Sequence, residues 1–441
     1  MRANKKNKQI GLVAIVGRAN VGKSTLFNRI IGRRKSIVTD VAGTTRDVVL
    51  ATAEWLGSTF WLADTAGIYG EKESDEIIRS VEKQISESIE EADVILWVVD
   101  GSAGVMNEDE KIVRNLRKKF EKVILVVNKS DKKEAKENVG LYEKFGFKDI
   151  FALSAIDGIG VGDLLDYVVK RLPKKVMSDD GDDSKIKVCL MGRPNVGKSS
   201  LVNQIFGEEK RVVSSVAGTT RDVGEIDLIY KQREIVLFDT AGVCRNSKQY
   251  VEKMAKYSIM RSVTALRESE VAVMMIDGIE GLTKRDLMII DMILQVRKGI
   301  VLFVNKWDLA EERGISQDKF VEGMLHKLQY IYWLPVVFGS AKTGKNINHL
   351  LDQIVLVADN GRKVIDQSQW DEFARDLQLT NEVAKKIGLV RIQQVGMKPV
   401  TIRIKYKGKR SLLPHEEKSL VNTIRDYLRL NGVQIVVEKK K

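Results

Sequence analysis

The sequence predicts an α/β protein with two copies of one domain, each on a mostly parallel sheet, followed by a smaller α+β domain. The segments GRANVGKS and GRPNVGKS begin at Gly17 and Gly192. The segments VAGTTRDV, DTAG, NK-x-D and SA also occur twice in the same order, with an offset between the copies that grows only slightly along the chain. From about residue 359 there is no third copy, and the pattern changes to short strands and helices. Such ordered repetition indicates a duplicated domain of about 170 residues.

Composition limits the class of protein. A chain of 441 residues with 44% hydrophobic and 30% charged residues can bury several cores and is not mainly disordered. Two cysteines, Cys189 and Cys244, exclude a disulfide scaffold, and three scattered histidines exclude a histidine-based metal site or triad.

No stretch approaches 18 apolar residues, and the basic N-terminus lacks the apolar segment of a secretion signal. We therefore expect a cytoplasmic protein without stable membrane association, and the net charge of +13 favours an anionic partner such as nucleic acid.

Within each copy, apolar runs that are typical of strands alternate with helical patterns. The runs are IGLVAIVG, TFWLADTAG, ADVILWVVDG and KVILVVNKSD in the first copy, and KVCLMG, EIVLFDTAG, SEVAVMMIDG and GIVLFVNKWD in the second. Continuous apolar strands between helices predict a parallel sheet that is covered on both faces. The repeated motifs fall at the carboxyl ends of these strands, where open α/β sheets bind ligands. The predicted domains are residues 9–173 and 186–358, and the acidic residues 174–185 between them form a hinge or a spacer.

The last predicted domain covers residues 359–441. SQWDEFARDLQ is typical of a helix, and LVRIQQVGMKPVTIRIKYKG of two strands joined at Gly396 to Pro399. PHEEKSLVNTIRDYLRLNG predicts an amphipathic helix stopped by Gly432, and VQIVVEKKK a final strand. Between Arg362 and Lys441 there are 18 Lys and Arg against 9 Asp and Glu, so nine of the chain's thirteen net charges lie here. The sequence thus predicts a small, basic α+β domain.

The pattern G-x-x-x-x-G-K-S between a strand and a helix is a P-loop. Its glycines let successive backbone N–H groups point at phosphate oxygens, and the helix that follows adds its positive end. Lys23 and Lys198 would reach the β- and γ-phosphates, and Ser24 and Ser199 would bind Mg²⁺. The predicted phosphate-binding residues are Gly17, Arg18, Ala19, Asn20, Val21, Gly22, Lys23 and Ser24, and Gly192, Arg193, Pro194, Asn195, Val196, Gly197, Lys198 and Ser199.

The DTAG segments close an apolar strand in each copy. At this place a carboxylate helps to hold Mg²⁺, which assigns Asp64 and Asp239 to the metal, although a turn-forming Asp is the alternative. Gly67 and Gly242 would contact the γ-phosphate and report its loss on hydrolysis. The predicted nucleotide-binding residues here are Asp64, Thr65, Ala66, Gly67 and Ile68, and Asp239, Thr240, Ala241, Gly242 and Val243.

The NK-x-D segments select the base. A carboxylate can accept hydrogen bonds from N1–H and the exocyclic amine of guanine, whereas adenine offers neither in that place. A site built around such bonds rejects an analogue without them by about 10⁴–10⁵, so Asp131 and Asp308 predict GTP as the ligand. The predicted base-binding residues are Asn128, Lys129, Ser130, Asp131, Ser154 and Ala155, and Asn305, Lys306, Trp307, Asp308, Ser340 and Ala341.

These two ordered motif sets resemble the EngA or Der family of bacterial GTPases, and the resemblance covers nearly the whole chain. It implies two Ras-like P-loop GTPase domains and a C-terminal KH-like domain. It implies a role in assembling the large ribosomal subunit, with that subunit and its rRNA as partners. The GTP state would control the domain arrangement and ribosome binding, and we expect a monomer.

The resemblance also assigns residue roles. Thr45 and Thr220 match the switch threonine that binds Mg²⁺ in the GTP state, and Asn20 and Asn195 match the asparagine of potassium-stimulated GTPases. Ile68 and Val243 stand where related enzymes carry a glutamine, and an apolar side chain cannot orient water through a hydrogen bond. We therefore expect slow intrinsic GTP hydrolysis that K⁺ and the ribosome stimulate. The predicted catalytic residues are Lys23, Thr45, Asp64, Gly67, Lys198, Thr220, Asp239 and Gly242.

Alternatives remain open at this point. The C-terminal domain lacks the G-x-x-G loop of RNA-binding KH domains, so it presents a basic surface to rRNA phosphates or a face that docks on the GTPase domains. A nucleotide-gated RNA-binding scaffold with negligible hydrolysis is a rival function. A GTPase partnered to an RNA-modification enzyme is a second rival, but the chain shows no helical dimerisation domain or cysteine-bearing terminal motif of that kind.

Overall fold

The computed structural model describes residues 10–32, 49–65, 89–173, 184–207, 226–238, 259–328, 331–407 and 412–440. These residues divide into two compact units. The first contains the described residues up to 173 together with residues 259–267, and the second contains the other described residues. The predicted linker lies outside the described residues except for Ser184 and Lys185. In the described part of the chain, no helix is both long and apolar enough to cross a bilayer.

The described strands of the first unit form one sheet in the order β2-β3-β1-β4-β5-β6. All neighbours pair in parallel except β2 and β3, which form an antiparallel hairpin. Strands β1, β4 and β5 are buried along their whole length, as their continuous apolar sequence predicts. The strands are β1 Gly11–Val16, β2 Val49–Trp55, β3 Ser58–Asp64, β4 Val94–Asp100, β5 Val123–Asn128 and β6 Ile150–Ala152. The helices of residues 10–173 are α1 Lys23–Ile31, α2 Asn107–Leu116, α3 Lys133–Asn138 and α4 Val161–Arg171.

The second unit repeats this sheet in the order β12-β11-β10-β7-β9-β8, with only β8 and β9 antiparallel among the described strands. Its strands are β7 Lys185–Met191, β8 Ile226–Tyr230, β9 Arg233–Phe238, β10 Val271–Asp277, β11 Gly299–Asn305 and β12 Val336–Phe338. The helices described between residues 184 and 362 are α5 Lys198–Gly207, α6 Ile259–Glu268 (assigned to the first unit up to Arg267), α7 Lys284–Val296, α8 Trp307–Glu312, α9 Gln317–Lys327 and α10 Ile347–Arg362. The prediction of two mostly parallel sheets is therefore confirmed.

The C-terminal part of the second unit has a three-stranded sheet in which β14 pairs antiparallel with β13 and parallel with β15. Its elements are α11 Gln367–Thr380, α12 Glu382–Ile387, β13 Leu389–Gly396, β14 Val400–Tyr406, α13 Pro414–Leu428 and β15 Ile435–Lys440. The predicted helices and strands of this region are confirmed, but α13 ends at Leu428, where Arg429 takes a left-handed conformation, instead of at Gly432. The order of elements gives a small α+β region.

This region shares a hydrophobic core with the second GTPase copy. Helix α10 crosses the predicted boundary between residues 358 and 359, and Val357, Ile365 and Trp370 belong to one buried cluster. Gly432 packs so closely that an added Cβ would lie 2.2 Å from Val357 Cγ2. Its carbonyl also accepts a hydrogen bond from the N–H of Ile300 at 2.8 Å. The loop before β15 is thus fixed to the start of β11.

Sequence patterns found eight strands of the two large sheets and missed β2, β6, β8 and β12. Strands β6 and β12 have three residues each, which is too short for a periodic signal. Strands β2 and β8 lie at the sheet edge and mix buried with exposed positions, so they show no continuous apolar run.

Candidate nucleotide-binding sites

The first P-loop joins β1 to α1, and its two glycines are required by geometry. Gly17 and Gly22 have φ angles of 154° and 97°, a region that side chains with a Cβ rarely adopt. A Cβ on Gly17 would lie 2.2 Å from the carbonyl oxygen of Val98, and one on Gly22 would lie 2.2 Å from Nδ2 of Asn128. The backbone therefore passes directly under the ends of β4 and β5.

Lys23 begins α1 and is buried, with only 3% of its surface exposed. Its Nζ donates to the carbonyl oxygen of Arg18 at 2.6 Å. Burial lowers the pKa of Lys23 to about 8, an effect that the charge of Asp64 opposes and that of Arg18 reinforces. Asp64 is itself buried at the end of β3, where it pairs with Ile15 of β1. The lysine and the predicted magnesium-binding carboxylate thus lie close enough to interact electrostatically.

The second P-loop, between β7 and α5, repeats this geometry. Gly192 and Gly197 have φ angles of 144° and 100°. A Cβ on Gly197 would lie 2.2 Å from Nδ2 of Asn305, as in the first copy. Lys198 Nζ donates to the carbonyl oxygens of Gly192 and Arg193 at 2.8 and 2.7 Å. Both lysines are therefore held against the P-loop backbone.

A buried asparagine connects three loops in each copy. Asn128 donates from Nδ2 to the carbonyl oxygen of Val21 at 2.8 Å and accepts from the N–H of Ala155 at 2.9 Å. Asn305 makes the same two bonds, to Val196 at 2.7 Å and from Ala341 at 2.8 Å. The amide thereby ties the P-loop to the SA segment and braces the base-binding loops from within the protein.

The lysine that follows each asparagine lies in the left-handed region, with φ angles of 66° for Lys129 and 60° for Lys306. Lys129 Nζ donates to the carboxylate of Asp100 and to the carbonyl oxygen of Asn20, the latter at 3.2 Å. Burial alone would raise the pKa of Asp100, but hydrogen bonds from Lys129 and Ser102 hold it below its usual value. Lys306 donates to Asp277 at 2.6 Å, and this bond likewise keeps the pKa of Asp277 low against the effect of burial.

The carboxylates predicted to recognise guanine follow directly. Asp131 is exposed, and Asp308 is partly buried. Oδ1 of Asp308 is shielded from solvent and has no hydrogen-bond partner among the described residues. A buried acceptor without a donor is costly, and the N–H groups of a guanine would satisfy it. Together with the glycines and the half-buried Lys198 of the same P-loop, this acceptor fits a bound guanine nucleotide.

The comparisons with known proteins agree with this geometry. A sequence model of the family described as "50S ribosome-binding GTPase" matches residues 12–129 and 187–306. GTPase Der of Caldanaerobacter subterraneus subsp. tengcongensis is 40% identical over 435 residues, which cover 98% of this chain and 98% of that protein. GTPase Der of Levilactobacillus brevis is 37% identical over 430 residues, which cover 96% of this chain and 97% of that protein. The chain belongs to the GTPase Der family.

Membership in the Der family implies that the chain binds and hydrolyses GTP with Mg²⁺, and the family model matches both copies. Among solved structures, a variant of Era from Aquifex aeolicus bound to GDP·AlF₄⁻ is 36% identical. That similarity covers 39% of this chain and 60% of the Era chain, with a TM-score of 0.33. The sequence similarity to the Der relatives spans nearly the whole chain, whereas the structural match is limited to a part of it.

Several predicted site residues of this Der protein lie outside the described residues. They are Thr45, Ala66, Gly67, Ile68, Thr220, Asp239, Thr240, Ala241, Gly242 and Val243. Asn20 and Asn195, the predicted potassium ligands, are exposed in the P-loops with φ angles of 63° and 64°. Ser24 and Ser199 are exposed in the first turns of α1 and α5. The assignments of these residues to Mg²⁺ and K⁺ stay predictions.

Trp307 has a different environment from its counterpart Ser130. Its side chain is fully buried and makes edge-to-face contacts with Phe338 and Phe320, at ring distances of 4.5 and 5.6 Å. Only its backbone can therefore face a nucleotide. Ser130 donates its N–H to the carbonyl oxygen of Leu153 at 3.0 Å. In the second copy, the base-recognition loop is thus anchored by an aromatic side chain.

Sequence reasoning missed one pair of contacts. Arg18 and Arg193 were predicted only as P-loop members, but their side chains form ion pairs with Asp109 and Asp286. The two aspartates are separated by the same offset as the asparagines of the two NK-x-D motifs. A search for further identities at that offset could have found them.

Proposed function

We propose that the chain is a GTP-hydrolysing assembly factor of the large ribosomal subunit, in which the GTP state switches the domain arrangement and ribosome binding. The family description, a 50S ribosome-binding GTPase, supports the partner. The observation that carries the proposal is the intact bracing of both sites by Asn128 and Asn305, since a copy that had lost GTP binding would have no need for these buried contacts. The protein would act in the cytoplasm as a monomer.

The residues fit a conditional active site. When bound, Mg²⁺ would neutralise charge on the phosphates, and Ser24 with Asp64 and Thr45 would hold it in the first copy, as Ser199 with Asp239 and Thr220 would in the second. Lys23 and Lys198 would balance the β- and γ-phosphate charge, with Gly67 and Gly242 contacting the γ-phosphate. Because Ile68 and Val243 cannot orient water, we infer that K⁺ at Asn20 and Asn195, together with the ribosome, completes each site.

A row of basic residues on the C-terminal sheet supports contact with rRNA. The strand registers place Arg391 beside Lys405, and Lys405 beside Lys440, across all three strands. Like charges directly opposite one another are unfavourable in a sheet. Asp371 offsets part of this repulsion through its ion pair with Arg391 at 3.5 Å, and a polyanion such as rRNA would relieve the rest and release counterions. We infer that this sheet face, with exposed Lys407 beyond it, is the basic surface that contacts rRNA phosphates.

One experiment tests the enzymatic part. GTP turnover is measured in K⁺ and in Na⁺, with and without large subunits, for the unmodified chain and for Lys23→Ala and Lys198→Ala. We expect turnover to be slow alone, faster in K⁺, and faster again with subunits. No turnover above background in any of these conditions would favour the scaffold function, in which nucleotide binding gates RNA contact without hydrolysis.

A second experiment tests the partner. The variant Arg391→Gln/Lys405→Gln should bind large subunits more weakly, and the logarithm of its affinity should fall less steeply with the logarithm of salt concentration. Lys363→Gln/Lys385→Gln provides a control that also removes two positive charges, at exposed lysines outside the row. An unchanged salt slope would place the rRNA contact on another surface.

A further inference from the structure

Each P-loop carries an arginine directly after its first glycine, and this arginine reaches a distant aspartate. In the second copy, Arg193 Nε lies 3.0 Å from Oδ1 of Asp286, in the first turn of α7. In the first copy, Arg18 Nε lies 3.6 Å from Oδ2 of Asp109, in the first turn of α2. Both aspartate side chains are fully buried. Each bridge therefore links the P-loop to a helix that begins after the neighbouring strand.

In the second copy this bridge has further partners, and of the Arg193 nitrogens only Nη2 is buried without a hydrogen-bond partner among the described residues. The other oxygen of Asp286 accepts hydrogen bonds from the N–H and Oγ1 of Thr283, at 2.9 and 2.7 Å, which fix the orientation of the carboxylate. Arg193 Nη1 also forms an ion pair with Glu280 at 2.6 Å. Although burial lowers the pKa of Arg193, these two carboxylates raise it above its usual value. The guanidinium is therefore held from two sides.

In the first copy two of these partners are missing. When the sequences are aligned on the two aspartates, Ala103 stands in place of Glu280 and Met106 in place of Thr283. Arg18 Nε and Nη2 and Asp109 Oδ1 are buried without a hydrogen-bond partner among the described residues. Burial accordingly raises the pKa of Asp109 despite the nearby arginine. The same pair is present in both copies, and Asp109 still accepts a hydrogen bond from the N–H of Met106 at 3.1 Å, but only the second copy adds a threonine hydroxyl and a second carboxylate.

The arginine backbone contacts the lysine that would hold the phosphates. The carbonyl oxygen of Arg193 accepts from Lys198 Nζ at 2.7 Å, and that of Arg18 accepts from Lys23 Nζ at 2.6 Å. A bound nucleotide leaves when the P-loop backbone opens around its phosphates. A P-loop that is restrained by an ion pair should therefore release the nucleotide more slowly. We propose that Arg193, held by Asp286 and Glu280, is a positioning residue of the second GTP site that slows nucleotide release. Arg18 and Asp109 form a weaker version of the same device in the first site.

The test measures release of a fluorescent GDP analogue from one site at a time in the full-length chain. Lys23→Ala silences the first site, and Glu280→Ala is then added. Because Glu280 is exposed, its loss should leave the thermal midpoint unchanged and accelerate release by up to about fivefold, the range of a partly exposed ion pair. Asp359→Ala is the matched control, since it removes the carboxylate of another exposed ion pair, with Arg233, in the same unit.

A reciprocal variant separates positioning from simple structural support. In a chain silenced at the second site by Lys198→Ala, Ala103→Glu should slow release from the first site by a similar factor, because it supplies the missing acceptor to Arg18. Arg193→Lys keeps the charge but loses the guanidinium that contacts both carboxylates, so it should accelerate release as Glu280→Ala does. The double variant Arg193→Lys/Glu280→Ala should release the nucleotide little faster than either single variant. Release rates within a factor of two of the parent in both Glu280→Ala and Ala103→Glu would overturn the proposal. A lower thermal midpoint with unchanged release would do the same. No ribosome is present, so the outcome is independent of the ribosomal function proposed above.

Discussion

The loops that would bind guanine are held in the two copies by the same buried hydrogen bonds. Asn128 and Asn305 make the same pair of hydrogen bonds, at 2.8 and 2.9 Å in the first copy and 2.7 and 2.8 Å in the second. The P-loop bridges differ much more, at 3.6 Å for Arg18 and 3.0 Å for Arg193. The bonds that join the P-loop to the SA segment are thus duplicated closely, whereas the bridges from the P-loop to the following helix have diverged. We expect the two sites to share their ligand and to differ in kinetics.

The largest expected effect comes from the guanine-selecting carboxylates. Asp308→Asn would replace an acceptor by a donor that faces the N–H groups of guanine. A site with such a mismatch rejects its ligand by a factor on the order of 10⁴. Equilibrium binding of GDP to the second site, in a chain that also carries Lys23→Ala, measures the change.

Asp131→Asn in a chain with Lys198→Ala provides the comparison in the first copy. If both carboxylates recognise guanine, the two losses should agree within tenfold. A loss of less than tenfold at either site would mean that the base there is held without this carboxylate. That result would also mean that the two copies do not recognise the base in the same way.

The bracing asparagines give the second effect. Asn305→Ala leaves the carbonyl oxygen of Val196 and the N–H of Ala341 without their buried partner. Each unsatisfied group costs about 1–3 kcal/mol, so GDP affinity at that site should fall by roughly 30-fold or more, at about 1.4 kcal/mol per factor of ten. Asn128→Ala should have the same effect on the first site, because its two bonds are nearly equal in length to those of Asn305. Isothermal titration of GDP checks both, with the exposed Asn203→Ala as a control in α5. A difference above tenfold between the copies would contradict the comparison.

The sequence could reveal those parts of the two sites that are formed by residues close together in the chain. The P-loops, the NK-x-D segments and their place at strand ends are contiguous in sequence, and eight apolar runs located the strands that carry them. The bridge from Arg193 to Asp286 joins residues 93 positions apart, and no local sequence pattern predicts it. The burial of Trp307 also depends on Phe320 and Phe338, which a neighbouring helix and strand supply. Contacts of this kind depend on tertiary packing, and the one sequence signal for the bridge is the offset that the two aspartates share with the repeated motifs.

The pH dependence of the first site gives a smaller effect. In the ligand-free chain Lys23 has a pKa of about 8, whereas bound phosphates would favour its charged form and raise that value. Affinity is therefore full below pH 8 and falls as pH rises through it, by up to about tenfold per unit. Calorimetry at pH 9 in two buffers of different ionisation enthalpy should show uptake of close to one proton per GDP in a Lys198→Ala chain. Lys23→Arg, which stays charged, should take up none. Absence of proton uptake in the parent would mean that Lys23 is already charged at that pH.

The smallest effect on nucleotide binding is expected at Trp307, where the two base-recognition loops differ most in packing. Its ring contacts Phe320 and Phe338 and its indole Nε1 is buried without a partner among the described residues, so the side chain supports the core and donates no bond there. Trp307→Phe should keep the apolar contacts, remove the unsatisfied N–H, and leave a small cavity that costs about 1–2 kcal/mol.

Thermal unfolding of the second unit should therefore shift downward, while GDP affinity at the second site stays within about twofold, since only the backbone of residue 307 can face the ligand. Ser130→Ala, at the corresponding position of the first copy, should change neither quantity, because among the described residues the bond of Ser130 is made by its backbone N–H, to Leu153. A loss of GDP affinity in Trp307→Phe beyond tenfold would show that the aromatic core sets the position of Asp308. The base-binding loop of the second copy would then depend on a supporting contact that the first copy lacks. The P-loop of the second copy already has such an additional contact.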